Sequence, residues 1–176
     1  MHCFWCVVLT WYIRNTPIMA TDKKPHALDF QAKKLRDQLL LTETLKSIAL
    51  ALLEGMLNVE PGEKVKPFDR ISGKAAIKTI YQNTRTEIEA VHGALTELLE
   101  MVQDKKYRDG SVSEDESTNL DFEVTGTAVA WISRLGNVGP NLVKALEWLH
   151  KVNPDSLGTF ASKVSDAMRL VTKVEA

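Results

Sequence analysis

Beyond position 6 the 176-residue sequence contains no cysteine, and the two that it has are Cys3 and Cys6. A small fold held together by disulfide bonds is therefore excluded for nearly the whole chain. The two cysteines have C-x-x-C spacing, but they lie within an apolar run, and no strand–helix–strand pattern comes after them as in redox proteins. A structural zinc site would need a second pair of ligands, and none has matching spacing. We expect neither redox nor zinc chemistry from this pair.

The chain also has no excess of charge of either sign, since 22 Lys and Arg oppose 23 Asp and Glu for a net charge of −1. Proteins that bind nucleic acids usually carry a basic stripe that neutralises phosphates. No such stripe is evident here, so we expect no nucleic-acid partner. A hydrophobic content of 44% is ordinary for a globular domain that buries its own core.

No apolar run reaches the roughly 18 residues that a membrane helix needs, because the N-terminal run stops at Arg14. Residues 1–18 nonetheless differ from the rest of the chain. They hold both cysteines and two of the four tryptophans, and they contain no acidic residue. Met19 opens a charge-rich sequence that reads like a new start.

We favour the interpretation that residues 1–18 are an over-extended start or a dispensable leader, and that 19–176 form a single cytoplasmic domain without membrane contact. Three alternatives remain open. Residues 1–20 have features of a secretory signal, which would make the protein secreted. The same region could also be a membrane anchor or an N-terminal segment that packs onto the domain.

The periodicity of the rest predicts an all-α fold: one bundle of about five helices, with two long antiparallel helices followed by three shorter ones. The first long helix is predicted over about 29–57, and the second from an N-cap at Ser72 to about Lys106. A mobile acidic loop is predicted near 104–119. Gly136 is expected to end the third helix. The apolar stripes on which these predictions rest include Leu41, Leu45, Ile48, Leu52 and Met56 on the first helix and Val124, Ala128, Trp131, Ile132 and Leu135 on the third.

Two Glu-x-x-His elements, Glu89 to His92 and Glu147 to His150, are the strongest chemical pattern in the chain. Ferritin-like di-iron proteins place such an element on each of two helices, with all ligands pointing inward. At about 100° per residue, however, both glutamates fall roughly 130° from the centres of their apolar stripes. We therefore disfavour di-iron chemistry and expect surface glutamates.

Other functional patterns are weaker. Gly73-Lys74 resembles the end of a phosphate-binding loop, but Ala75 stands where Ser or Thr is required. The segments 124–135 and 141–152 have the lengths of a helix-turn-helix, yet the charge for DNA binding is missing. We expect no catalytic residue, no metal site and no cofactor.

One helix has a second apolar face, formed by Ala145, Trp148 and Val152, away from the Leu142 stripe. Such a face is either packed between neighbouring helices or presented to a partner. These three residues are our candidates for partner contact, since tryptophan often anchors interfaces. The predicted function is a non-enzymatic interaction or assembly module that binds a protein partner or itself. An enzyme of unrecognised type and a DNA-binding protein remain the alternatives.

Overall fold

The computed structural model describes residues 26–175, and within them it contains helices and no strand. The all-α class is therefore confirmed. The predictions made for residues 1–18 lie outside the described residues. The helices are α1 (Ala27–Leu57), α2 (Pro67–Gln103), α3 (Glu114–Ser133), α4 (Val138–Val152) and α5 (Leu157–Glu175), with short 3₁₀ segments at Lys105–Tyr107, Arg134–Asn137 and Pro154–Ser156.

The five α-helices form four continuous helical stretches, because α3 passes into α4 through the 3₁₀ segment without a non-helical residue. Gly136 was predicted to end the third helix; α3 ends three residues earlier, at Ser133, but without the left-handed glycine that commonly follows a helix end. Among the described glycines only Gly110 has a positive φ, of 82°. The chain tightens into a 3₁₀ turn at Gly136 and continues as helix.

Contacts between side chains show that successive stretches run antiparallel. On α1 and α2, Glu43 lies opposite His92 and Lys46 lies opposite Glu89, so one helix ascends as the other descends. The third stretch, which consists of α3 and α4, runs antiparallel to α2. Its Arg134 pairs with Glu87, and the backbone of Trp148, much further along, lies beside Gly73.

Helix α5 closes the bundle by packing between α1 and α4. The ring of Phe160 lies over Gly55 of α1, and Met168 lies beside Gly139 of α4. Both contacts pair a large side chain with a glycine, which allows the helices to approach. Large aliphatic side chains buried between the stretches include Leu28, Leu35, Leu45, Leu53, Ile77, Ile88, Leu95, Leu135, Leu142 and Leu149.

The start of α2 differs from the prediction. The second helix was predicted to start after an N-cap at Ser72, but it begins earlier, at Pro67, with Lys66 as its cap residue. The first residue of a helix has no intrahelical acceptor for its N–H, and proline has a φ that already suits a helix. Pro67 therefore starts the helix.

The connection between α1 and α2 is held by hydrogen bonds from three side chains. Lys74 Nζ donates to the carbonyl oxygens of Leu57 and, at 2.6 Å, of Val59, which places a cation at the C-terminus of α1. Arg70 donates to the carbonyl of Val65 at 2.9 Å, and Asn153 donates to the carbonyl of Glu60 at 2.8 Å. The lysine that resembled part of a phosphate-binding loop thus stabilises a helix end.

The predicted acidic loop is shorter in the structure, because α3 begins at Glu114. Ser113 and Glu116 form a capping box in which each side chain accepts a hydrogen bond from the other residue's backbone N–H. The acidic residues of the first turn also favour helix formation, since they face the positive end of the helix dipole. Within residues 26–175, no helix combines the length and apolarity that a membrane crossing requires.

Candidate protein-interaction surface

The predicted contact residues on α4 face the interior of the bundle. Ala145 and Val152 are fully buried, and Trp148 is half-buried against the core. Gly73 of α2 explains this packing: a Cβ at that position would lie only 2.4 Å from Val152 Cγ2. The second apolar face of α4 is therefore packed against α2, and a partner could reach Ala145 or Val152 only if the helices separated.

The part of Trp148 that is not packed against the core is next to a lysine. Lys151 Nζ lies 4.1 Å from the ring centroid, within the distance of a cation–π interaction. The indole ring is therefore in contact with both the core and the side chain of Lys151.

A second apolar face does reach the surface, but it belongs to α3. Phe122 is 84% exposed and Val129 is 58% exposed. Gly126 lies between them, and no atom beyond the adjoining backbone lies within 4 Å of a Cβ placed there. We call Phe122, Gly126, Val129 and Ser133 the outer stripe of α3.

The spacing of the outer stripe places all four residues on one side of the helix, since steps of four, three and four repeat about every turn. The buried stripe of the same helix, which includes Leu120, Val124 and Ala128, lies on the opposite side. The outer stripe therefore makes no contribution to the core. The ten residues 124–133 also contain no charged side chain.

Acidic side chains lie before and beside the start of the outer stripe, where Asp121 and Glu123 adjoin Phe122 in the chain, and one arginine follows its end. The first turn of α3 carries Glu114, Asp115 and Glu116, all exposed. Arg134 follows the last turn, where its Nε and Nη2 donate to the Glu87 carboxylate at 2.6 and 3.1 Å. Its guanidinium carbon lies 4.6 Å from the centroid of the Trp131 ring. The arginine side chain remains 45% exposed.

Sequence reasoning overlooked the outer stripe although its signal was present. Phe122, Gly126 and Val129 have the same spacing as a core stripe, so periodicity shows that α3 has two faces without strong charge. Periodicity does not show which of these two sides of α3 packs against the core. The absence of charge between Glu123 and Arg134 was the available sign that the outer face differs from an ordinary solvated one.

The two Glu-x-x-His elements lie in different grooves. Glu89 is on the α1–α2 side, where Lys46 approaches it to 3.2 Å and Arg85 to 2.9 Å. The hydrogen bond from Arg85 is the main cause of a lowered pKa of Glu89. His92 Nε2 lies 3.5 Å from Glu43.

Glu147 and His150 instead line a groove of about 420 Å³ between α4 and α5. Val143, Leu146 and Leu157 give this groove a largely apolar wall. The two elements thus do not supply ligands to a common centre. Among residues 26–175, no three His, Cys, Asp or Glu side chains are grouped so that they could hold a metal ion.

The segments considered for a helix-turn-helix are also arranged differently from that motif. It requires two helices at a steep angle joined by a short turn. Here the residues between α3 and α4 are helical throughout, in the 3₁₀ segment. Comparison of the chain with models of known families, with characterised proteins and with solved structures gives no match.

Proposed function

We propose that this chain is a non-enzymatic interaction or assembly module and that it binds a protein partner through the outer stripe of α3. The observation that carries the proposal is the exposure of Phe122 and Val129 on the side of α3 opposite its core face. Single exposed apolar residues are common on protein surfaces, but a contiguous uncharged stripe is more typical of a contact site.

The energetic argument supports a partner. Full burial of a side chain such as phenylalanine or valine is worth roughly 1.5–3 kcal/mol. Phe122 and Val129 obtain little of this within the monomer, because most of each side chain faces water. A partner that covered both would gain that free energy without any rearrangement of the core.

The proposal includes residues 19–176 as one domain and a cytoplasmic location, with secretion as the alternative if residues 1–20 are a signal peptide. An enzyme of unrecognised type and a DNA-binding protein are less well supported. Against an enzyme, the glutamates and histidines of the two Glu-x-x-His elements lie in separate grooves. Against a DNA-binding protein, the net charge of −1 does not favour phosphate contacts.

Affinity capture from the native source, with mass spectrometry, tests the proposal. The full chain is compared with a Phe122→Ser, Val129→Ser variant and with Phe68→Ser as a control, since Phe68 is 79% exposed on α2. We expect a protein, or untagged copies of the chain itself, to be retained by the parent and the control but lost with the α3 variant. Retention by all three chains would contradict the assignment of the site to α3.

A further inference from the structure

We propose that Asp109 is a site of spontaneous covalent modification, at which the peptide linkage to Gly110 passes to the side-chain carboxyl and leaves an isoaspartyl residue, and that Ser111 slows this reaction. All three residues lie in the connection between α2 and α3, outside the outer stripe. The modification is therefore independent of the proposed function.

The reaction requires no reactant except water. The backbone nitrogen of Gly110 attacks Cγ of the protonated Asp109 carboxyl, a C–N bond forms, and the carboxyl hydroxyl leaves as water with the proton of that nitrogen. One water molecule then opens the resulting five-membered succinimide. When this water attacks the main-chain carbonyl, the original C–N bond breaks and the main chain runs through Cβ and Cγ. Attack on the side-chain carbonyl restores aspartate, so the mass of the chain is unchanged in either case.

The residue after Asp109 leaves space for this ring. Asp109 is the only Asp or Asn in the sequence that precedes a glycine. A Cβ on the following residue hinders the approach of its nitrogen to the carboxyl, and glycine has none. Gly110 is exposed, and apart from its two neighbours in the chain no atom lies within 4 Å of a Cβ placed there. The ring can therefore close without movement of the core.

The attacking nitrogen has no hydrogen bond to lose. Within residues 26–175, the N–H of Gly110 donates to no acceptor, whereas the N–H of Asp109 donates to the Lys105 carbonyl oxygen at 2.9 Å. An aspartate inside a helix differs, because the N–H of the next residue is bound to the carbonyl oxygen four residues earlier. The α2–α3 connection thus supplies an accessible nitrogen on a backbone that no helix constrains.

Two hydrogen bonds from Ser111 oppose the reaction. Its hydroxyl and its backbone N–H, the latter at 2.8 Å, both donate to Oδ1 of Asp109. They lower the pKa of the Asp109 carboxyl, and the bond from the hydroxyl is the main cause. Ring closure requires the protonated carboxyl, because only its hydroxyl can leave as water. A carboxyl that these bonds keep ionised therefore reacts more slowly.

Incubation of the full chain near neutral pH for several weeks tests the proposal, with a reductant to protect Cys3 and Cys6. Proteolytic peptides are separated by chromatography, and electron-transfer fragmentation distinguishes isoaspartate from aspartate of equal mass. Asp155 is the internal control, since the next nitrogen, on Ser156, donates to the Asn153 carbonyl oxygen at 3.2 Å. We expect isoaspartate to form at least about tenfold faster at Asp109 than at Asp155.

Three variants assign the roles. Gly110→Ala should slow the reaction about tenfold, because the added Cβ lies beside the attacking nitrogen. Ser111→Ala should accelerate it by about two- to fivefold, because the carboxylate loses a hydrogen bond that stabilises its charge. Ser111→Thr is the matched control, which keeps the hydroxyl and should react like the parent. In urea the parent and Ser111→Ala should react equally, because the hydroxyl acts through the folded geometry.

Each outcome decides one part of the proposal. Isoaspartate at Asp109 that does not exceed the level at Asp155 overturns the modification site. A Ser111→Ala variant that reacts no faster than the parent, or that keeps the same advantage in urea, overturns the role of Ser111. Partner capture through the outer stripe is measured separately and does not depend on either result.

Discussion

Gly73 marks the closest approach between α2 and α4. A Cβ added there would lie 2.4 Å from Val152 Cγ2 and 3.2 Å from the carbonyl oxygen of Trp148. The valine is buried, and the carbonyl belongs to helical backbone, so neither can move freely. The packing of α4 against α2 therefore depends on the missing side chain at this position.

Gly73→Ala should lower the free energy of unfolding by about 1–3 kcal/mol, the usual cost of overpacking a core. Gly93→Ala is the matched control, because Gly93 lies on the same helix with nothing within 4 Å of its added Cβ. The control should raise stability by about 0.5–1 kcal/mol through helix propensity. Urea unfolding measures both variants. Equal stabilisation by the two substitutions would show that α2 and α4 are not in close contact at Gly73.

Trp148→Ala tests whether this residue acts as part of the core. The half-buried ring packs against the core, so its removal should lower the free energy of unfolding by roughly 2–4 kcal/mol, towards the lower part of the range for large buried side chains. Lys151→Gln removes only the cation above the ring and should cost less than about 1 kcal/mol. Denaturant midpoints that coincide for the two variants would instead favour a role of Trp148 in partner contact.

At the scale of the helices, the sequence predicts where they form better than which side they bury. On α1, the predicted stripe residues Leu45, Leu52 and Met56 are buried, whereas Ile48 of the same stripe is 39% exposed. On α4, Ala145 and Val152 are buried alongside Leu142, while Leu146 is only half-buried. A helix with apolar residues on two sides leaves its rotation undetermined by periodicity. Packing decides it, here through the glycine on α2, which no pattern within α4 can reveal.

The N-terminus of α1 illustrates how a cap connects two helical stretches. Asp29 accepts a hydrogen bond from the backbone N–H of His26, and its other oxygen binds Arg108, which comes after α2. The hydrogen bond from Arg108 is the main reason that the pKa of Asp29 is lowered. The carboxylate is therefore more stable in the folded chain than in the unfolded one.

A lowered pKa in the folded state means that Asp29 stabilises the fold above its unfolded pKa of about 4, and that this contribution is lost as the pH falls further. Asp29→Asn should therefore reduce stability near pH 7 but make little difference near pH 2. The effect should be small because the side chain is 44% exposed. Thermal unfolding from pH 2 to 7 measures it. A difference between parent and variant that does not depend on pH would contradict the role of the charge.

For the whole molecule, composition and periodicity were sufficient to predict the class and the two long helices, but several boundaries required local chemistry. Pro67 starts a helix instead of preventing one, and Gly136 lies within a continuous helical stretch. Proline can start a helix or break one, and glycine can end a helix or lie within one. Which of these happens depends on the neighbouring hydrogen bonds. The outer stripe of α3 was missed for a related reason, since exposure is a property of the assembled bundle.

Removal of residues 1–18 should leave the cooperative unfolding of the domain unchanged. The buried core of the described residues begins at Leu28, beyond the proposed start at Met19. Thermal unfolding of the full chain and of residues 19–176, followed by circular dichroism, should give the same midpoint. A truncated chain without a cooperative transition would show that the first residues belong to the fold.

The two ends of the described chain lie at the same end of the bundle, since Phe30 near the start of α1 and Val174 near the end of α5 line one groove. Residues 26–175 should therefore tolerate circular permutation, with a short linker joining these two ends and new termini in the α2–α3 connection around Gly110. New termini at Glu63 should be tolerated poorly, because Arg70 and Asn153 hold the α1–α2 connection in place. If the two permuted chains are compared by denaturant unfolding, the one opened at Gly110 should keep most of the parent's stability.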